Sequence, residues 1–212
     1  MSSSHAVPTV RPVRADDAQA MRVFVEQSLS ASSRRNRFHA AVNRCSDRLA
    51  AHLAGADGQR HVAWVACVPN EEGDGDTIVG EARYVVVGLA GNRAELAVSV
   101  ADTWQGRGVA DLLMQALLQS AALAGLGSLY GDVLAGNQRM QGFMRRHGFA
   151  VTAHDGQGGE CVQLACAVRQ RAPARLWPAR STTTASPAAP RWWQGLRARA
   201  HALAGGLALT LN

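Results

Sequence analysis

Residues 94–123 constrain this 212-residue chain more than any others. Ala94 to Val100 reads as a strand. A polar loop, Asp102 to Gly108, carries Gly106 and Gly108. Val109 to Leu123 then reads as a strong helix, with Leu112, Leu113, Met114, Ala116, Leu117 and Leu118 apolar. Glycines between a strand and a helix let the backbone approach a ligand closely. The helix start that follows presents unpaired N–H groups and the positive end of its dipole at the same place. A strand, a glycine-bearing loop and a helix in this order form a cradle for an anion, phosphate above all.

Two familiar phosphate loops do not fit. A P-loop needs Gly-Lys followed by Ser or Thr, and all 22 basic residues of this chain are Arg. A dinucleotide fingerprint needs a third glycine, and Asp111 stands in its place after Gly106 and Gly108. The strand before the loop also ends a hairpin-connected series, and no second nucleotide-binding half follows it.

The remaining segments predict a mixed sheet. Val7 to Arg14 reads as a first strand, and a helix capped by Asp16 or Asp17 runs to about Ser28. An Arg-rich stretch, about Ser33 to Leu53, reads as a second helix. His61 to Val68 and Thr77 to Leu89 read as strands around the acidic hairpin loop Asn70 to Asp76, and a turn at Gly91-Asn92 leads into Ala94. Ser128 to Leu134 is a strand and Asn137 to Arg146 a helix. Phe149 to Ala153 and Cys161 to Val168 form a closing hairpin.

Charge divides the chain. Residues 1–168 hold 15 Arg against 16 acidic residues, a net of −1, whereas residues 169–212 hold 7 Arg and no acid. The second part carries four prolines and the run Ser181 to Ser186, then Trp192, Trp193, Leu196, Leu203 and Leu207. It reads as a linker and a basic, Trp-containing tail, either a disordered soluble extension or one that contacts an anionic membrane or another polyanion, with no specific nucleic acid. The first residues lack a signal-peptide pattern, and no apolar run reaches the roughly 18 residues of a membrane span, so a cytoplasmic location is expected. The four scattered cysteines read as free thiols, and no metal site is expected.

Gln105-x-x-Gly108-x-Ala110 resembles the pyrophosphate loop of the GNAT superfamily of N-acetyltransferases, and Asn137-x-x-Met140 with Gly148-Phe149 resembles the block on that superfamily's next helix. The resemblance covers roughly residues 8–168. Leu29 to Phe38, Ile78 to Tyr84 and Ala94 to Val98 look like the acetyltransferase domain of bacterial protein-lysine acetyltransferases. The fold so implied is α/β (α+β): a mixed, mostly antiparallel central sheet flanked by helices, in one domain (1–168) with a C-terminal tail (169–212).

The resemblance implies direct attack of a primary amine, such as a protein lysine, on acetyl-CoA, without a metal. The N–H groups of Gln105, Gly106, Arg107, Gly108, Val109 and Ala110 would hold the pyrophosphate. The backbone of Val98, Ser99 and Val100 would pair with the pantetheine arm, and Asn137 would contact that arm. A lysine of pKa about 10.4 needs a base near pH 7. Glu95, on the strand face of Ala97 and Ser99, is the candidate. A solvated Glu95, or one paired with Arg83 or Arg93, is the non-catalytic reading. The family's usual Tyr, seven residues after the Asn, is Met144 here, which leaves the general acid open. Arg34, Arg35, Asn36, Arg37 and His39 read as an exposed helix face or as a docking wall for an acidic protein patch or an anionic small molecule. The competing function class is an acyl-CoA sensor or a membrane-associated module with little catalysis.

Overall fold

The computed structural model describes residues 7–70, 75–88, 91–154 and 160–169. The tail from residue 170 onward, and with it the membrane or polyanion expectation, lies outside the described residues. Seven strands form one sheet in the order β1-β2-β3-β4-β5-β7-β6. They are β1 (Thr9–Pro12), β2 (His61–Pro69), β3 (Asp76–Val87), β4 (Arg93–Val100), β5 (Ser128–Leu134), β6 (Ala150–His154) and β7 (Cys161–Ala167). Every neighbouring pair is antiparallel except β4 and β5. The helices are α1 (Ala18–Val23), α2 (Ala31–Phe38), α3 (Asp47–Ala54), α4 (Val109–Leu123) and α5 (Gln138–Arg146).

The single helix expected over Ser33 to Leu53 is two helices. His39 closes α2 in the left-handed region at φ 53°, and Ser46 opens α3 by accepting the Leu49 N–H. Between them the Cys45 N–H donates to Glu26 Oε1, a tertiary bond that a continuous helix would forbid. Elsewhere the predicted bounds hold closely. Val109–Leu123 and Ser128–Leu134 are as expected, because glycines punctuate both ends of the helix.

α4 covers one face of the sheet. Leu113, Met114, Leu117 and Ala121 of its inner side are fully buried, as expected for an apolar stripe at helical spacing. The approach is close at Gly80 of β3. A Cβ there would lie 2.9 Å from Leu113 Cδ1, 3.1 Å from Val109 Cγ1 and 3.3 Å from the Ser99 carbonyl oxygen. Beside Gly80, Val79 is an extra residue in β3: Ala66 pairs with Gly80 while Cys67 pairs with Ile78. The bulge carbonyl of Val79 accepts the Ala101 N–H, which fixes where β4 ends and the glycine loop begins.

β4 and β5 pair over only three residues, Arg93 to Glu95 against Ser128 to Tyr130. On its other side β5 pairs along its whole length with β7; Leu96 still packs against Gly131 of β5, and beyond it the β4 backbone has no strand partner on the β5 side, which leaves a gap. That split positions the candidate site.

Gly80→Ala is expected to cost about 1–3 kcal/mol through overpacking. In a Leu113→Ala background the same change should cost measurably less, because the nearest obstructing methyl is gone. Urea unfolding of the four chains of this cycle measures the coupling.

Candidate active site

Two cavities meet at the gap. The larger, about 720 Å³, lies over the glycine loop and is lined by Val98, Ser99, Val100, Gln105, Gly106, Gly108, Val109, Ala110 and Asn137, among others. The second, about 380 Å³, is lined by Glu95, Val98, Asp132, Asn137, Met144 and Cys161, among others. Most of the predicted cofactor-binding residues thus gather in one cavity, and Glu95 faces the other. Asn36, Arg37, Val98, Asn137 and Met140 line both.

The loop has the donors an anion needs. Gly106 and Gly108 adopt φ 78° and 81°, a region that favours glycine. The N–H groups of Gly106, Arg107, Gly108, Val109 and Ala110 donate to no backbone carbonyl among the described residues. Five successive free donors at the start of a 15-residue helix fit a pyrophosphate. The Gln105 amide braces the loop from below, donating to the Val100 carbonyl at 3.2 Å and to Asp102 Oδ1 at 3.1 Å. Arg107 lies over the Trp104 ring at 5.0 Å. Asn137 caps α5, its Oδ1 accepting the Met140 N–H at 3.1 Å.

Asp102 also ties the loop to α2. It accepts the Ser30 N–H and, at 2.6 Å, the Ser33 hydroxyl. Burial alone would raise the Asp102 carboxyl, but these donors outweigh it and hold the pKa below its ordinary value.

Glu95 is half-buried and accepts the Tyr130 hydroxyl on Oε2 at 3.2 Å. The parallel pairing sets the two residues side by side. Arg93 lies over the Tyr130 ring at 4.0 Å and donates to Gln163. Arg83 points into a buried cluster. Ser99, the nearest hydroxyl on the Glu95 face, donates to Glu81 at 3.3 Å.

That cluster was not foreseen. Glu81 is 1% exposed, Arg83 2% and Arg37 8%. Arg37 Nε reaches Glu81 Oε1 at 2.6 Å, and Arg83 Nε reaches Oε2 at 2.7 Å. Arg83 also donates to the Leu53 carbonyl and to His61 Nε2, so His61 carries its own proton on Nδ1. Burial would raise the Glu81 carboxyl, but the two guanidinium groups hold it down at about 2. Burial, reinforced by the Arg83 charge, pushes His61 down to about 3 and His52 down to about 4. The Arg-rich wall is therefore not one exposed face. Arg37 is buried, and Arg34 Nη1 donates to three carbonyls, Leu29 at 2.5 Å among them. Among the described residues no group of three or more His, Cys, Asp or Glu is placed to hold a metal ion. Nor is any helix among them long and apolar enough to cross a membrane.

Comparison with known proteins places this geometry. The acetyltransferase (GNAT) domain family model matches residues 9–150. An acetyltransferase of Pseudomonas aeruginosa is 33% identical over 140 residues, 66% of this chain and 73% of that protein. The acetyltransferase Pat of Mycolicibacterium smegmatis is 32% identical over 115 residues, 54% of this chain, and the match spans 33% of that longer protein. Among solved structures, the GNAT domain of S. lividans PAT superposes with a TM-score of 0.67 at 25% identity, covering 79% of this chain and 99% of that domain. A Salmonella typhimurium acetyltransferase solved with its cofactor acetyl-CoA has a TM-score of 0.59 at 18% identity, covering 81% of this chain and all of that one.

The two depressed histidines set a pH dependence. Their folded pKa values, about 3 and about 4, lie below the unfolded value near 6.5. The unfolded chain therefore binds protons that the folded chain refuses, and stability falls as pH drops from about 6.5 toward 4. The limiting slope for two protons is about 2.7 kcal/mol per pH unit. Urea midpoints between pH 7.5 and 5 should show this fall, and His61→Gln should roughly halve its slope.

Proposed function

The chain belongs to the GNAT acetyltransferase family, and from that premise we propose that it moves an acetyl group from acetyl-CoA to a primary amine, a protein lysine in the first instance, with Glu95 as general base. The observation that carries this reading is the split between β4 and β5, which opens between the loop cavity and the Glu95 cavity. Both reactants must reach one point, and the gap joins the two spaces.

The free N–H groups from Gly106 to Ala110, with the Arg107 side chain beside them, bind the pyrophosphate; Gln105, whose own N–H donates to the Asp102 carbonyl, braces the loop instead of holding the phosphate. The β4 backbone at Val98, Ser99 and Val100 takes the pantetheine arm as it would an added strand, and an N–H of that edge polarises the thioester oxygen. Asn137 lines both cavities and borders the arm.

The acceptor enters through the second cavity as an ammonium ion. Deprotonating a lysine of pKa about 10.4 at pH 7 costs roughly 4–5 kcal/mol. Glu95 takes that proton, and Tyr130 holds the carboxylate by donating to Oε2. The amine nitrogen bonds to the thioester carbonyl carbon, the carbon–sulfur bond breaks, and CoA departs as a thiolate. With a leaving-group pKa about 8.5, that thiolate needs no dedicated acid near neutral pH, which accords with Met144 at the position of the family's Tyr.

Residues 1–168 form the catalytic domain, and residues 169–212 are a separate address. Val168 is still anchored, its N–H donating to the Gly127 carbonyl at 2.9 Å.

Two experiments test these assignments. Glu95→Gln keeps an acceptor for Tyr130 but cannot take a proton. It should lower acetyl-CoA-dependent thiol release at pH 7 by about 100-fold or more while acetyl-CoA affinity stays within about threefold. Equal activity of the variant across pH 6–9 would remove Glu95 from the mechanism. A chain ending at Val168 should retain the turnover of the full chain.

A further inference from the structure

One face of α5 turns toward the glycine loop. Arg139, Gly142, Phe143 and Arg146 fall on it at helical spacing, and all four line the larger cavity. The two arginines are exposed and stand seven residues apart, about 10 Å along the helix axis. Arg139 Nη1 donates to Gln105 Oε1, and a Cβ on Gly106 would lie 4.0 Å from Arg139 Nη2, so this guanidinium sits over the loop. Arg146 folds back along the helix, as long helical side chains do. A Cβ on Gly142 would lie 4.0 Å from its Nη1. Its guanidinium carbon is 5.9 Å from the centre of the Phe143 ring, and it makes no hydrogen bond or ion pair among the described residues.

Charge leaves these two groups for an anion. Asp111 is the acid in the described lining of this cavity, and His147 Nε2 engages it at 2.8 Å. Arg37, the third arginine of the lining, is paired with Glu81 in the buried cluster. Asp102, at the base of the loop, is occupied by Ser30, Ser33 and Gln105. The pyrophosphate, on the reading above, is held by uncharged N–H groups, the helix dipole and Arg107. Two accessible guanidinium groups therefore face the same space, and neither has a carboxylate bonded to it among the described residues.

We infer that Arg139 and Arg146 form a second anion site, which takes the 3′-phosphate of coenzyme A. That group is a phosphate monoester with a charge of about −1.5 to −2 at pH 7, and a pair of guanidinium forks matches it in charge and geometry. It is borne by the same ribose that carries the pyrophosphate on its 5′ oxygen. A cofactor seated on the glycine loop therefore presents it to a wall of the same cavity. The consequence is selection of the acyl donor: a thioester whose carrier lacks the 3′-phosphate keeps the loop and strand contacts and loses this one. The inference rests on the proposed seat of the pyrophosphate, and is independent of the acceptor and of Glu95.

Calorimetry of the full chain with CoA and with 3′-dephospho-CoA isolates the contact, since the two ligands differ in that group alone. CoA should bind at least tenfold more tightly. Replacing both arginines, Arg139→Gln with Arg146→Gln, should bring the ratio below threefold. A smaller ratio in the wild type overturns the inference, as does a ratio of threefold or more in the double variant, or no binding of either ligand. A loss shared equally by both ligands leaves the ratio unchanged and assigns the arginines to the pyrophosphate instead. Arg146→Gln alone removes an exposed side chain without a hydrogen-bond partner and should lower the ratio at least threefold. A lesser change overturns the assignment even where the double variant does not fold. Thiol release from acetyl-CoA is followed with amine acceptors in the same preparations. Its absence beside an intact binding ratio sinks the acyl-transfer reading and leaves the phosphate site standing.

Discussion

The Arg37–Glu81–Arg83 cluster holds the site's walls together. Arg37 belongs to α2, Glu81 and Arg83 to β3, His61 to β2, Ser99 to β4 and the Leu53 carbonyl to α3. Groups from α2, β3 and β4 therefore meet on one carboxylate, and β2 and α3 join through Arg83. A buried ion pair is weak evidence for net stability, because desolvation offsets much of the Coulomb gain. Its geometry is nonetheless specific: with Glu81 bonded on both oxygens, α2 has one position over β4. Each cavity takes a wall from α2 and a wall from β4, so the cluster sets the width of both.

A second connection acts from the other end of α2. Asp102 receives Ser30 and Ser33 of the helix start and Gln105 of the glycine loop. α2 is thus fixed to the sheet at Arg37 and to the loop at its first turn. The loop is fixed in turn to β4 through Gln105 and to β3 through the Val79 bulge. α2, the glycine loop and β4 are thereby held together as one side of the gap.

Much of this was legible in the chain. The strand, the glycines and the apolar helix of residues 94–123 follow from periodicity and punctuation, and their order supplies the cradle. The break in the second helical stretch was partly legible, since Ser46 followed by Asp47 is a capping signal. Ala40 to Val42 masked it by suiting a helix, and the bond from Cys45 to Glu26 that favours the break is tertiary. The cluster was not legible. Glu81 and Arg83 sit in a strand that is otherwise uncharged from Thr77 to Val87, and Arg37 is 44 positions from Glu81. Tyr130 was readable only as a strand residue. Its contact with Glu95 depends on the register of a parallel pair whose strands are separated by a loop and a helix, and no local pattern encodes that register.

The early end of the β4–β5 pairing has a consequence for the chain before it meets any ligand. A sheet ordinarily has two edges, and this one has further edge character in its interior, where the β4 backbone past Leu96 has no strand partner on the β5 side. Such a stretch templates any extended chain that can reach it, including a second copy of the protein. On the reading proposed above, the pantetheine arm fills that place as a small molecule acting as a strand. The cofactor is then also a guard against self-association, and its cellular concentration bears on how long the folded chain stays monodisperse.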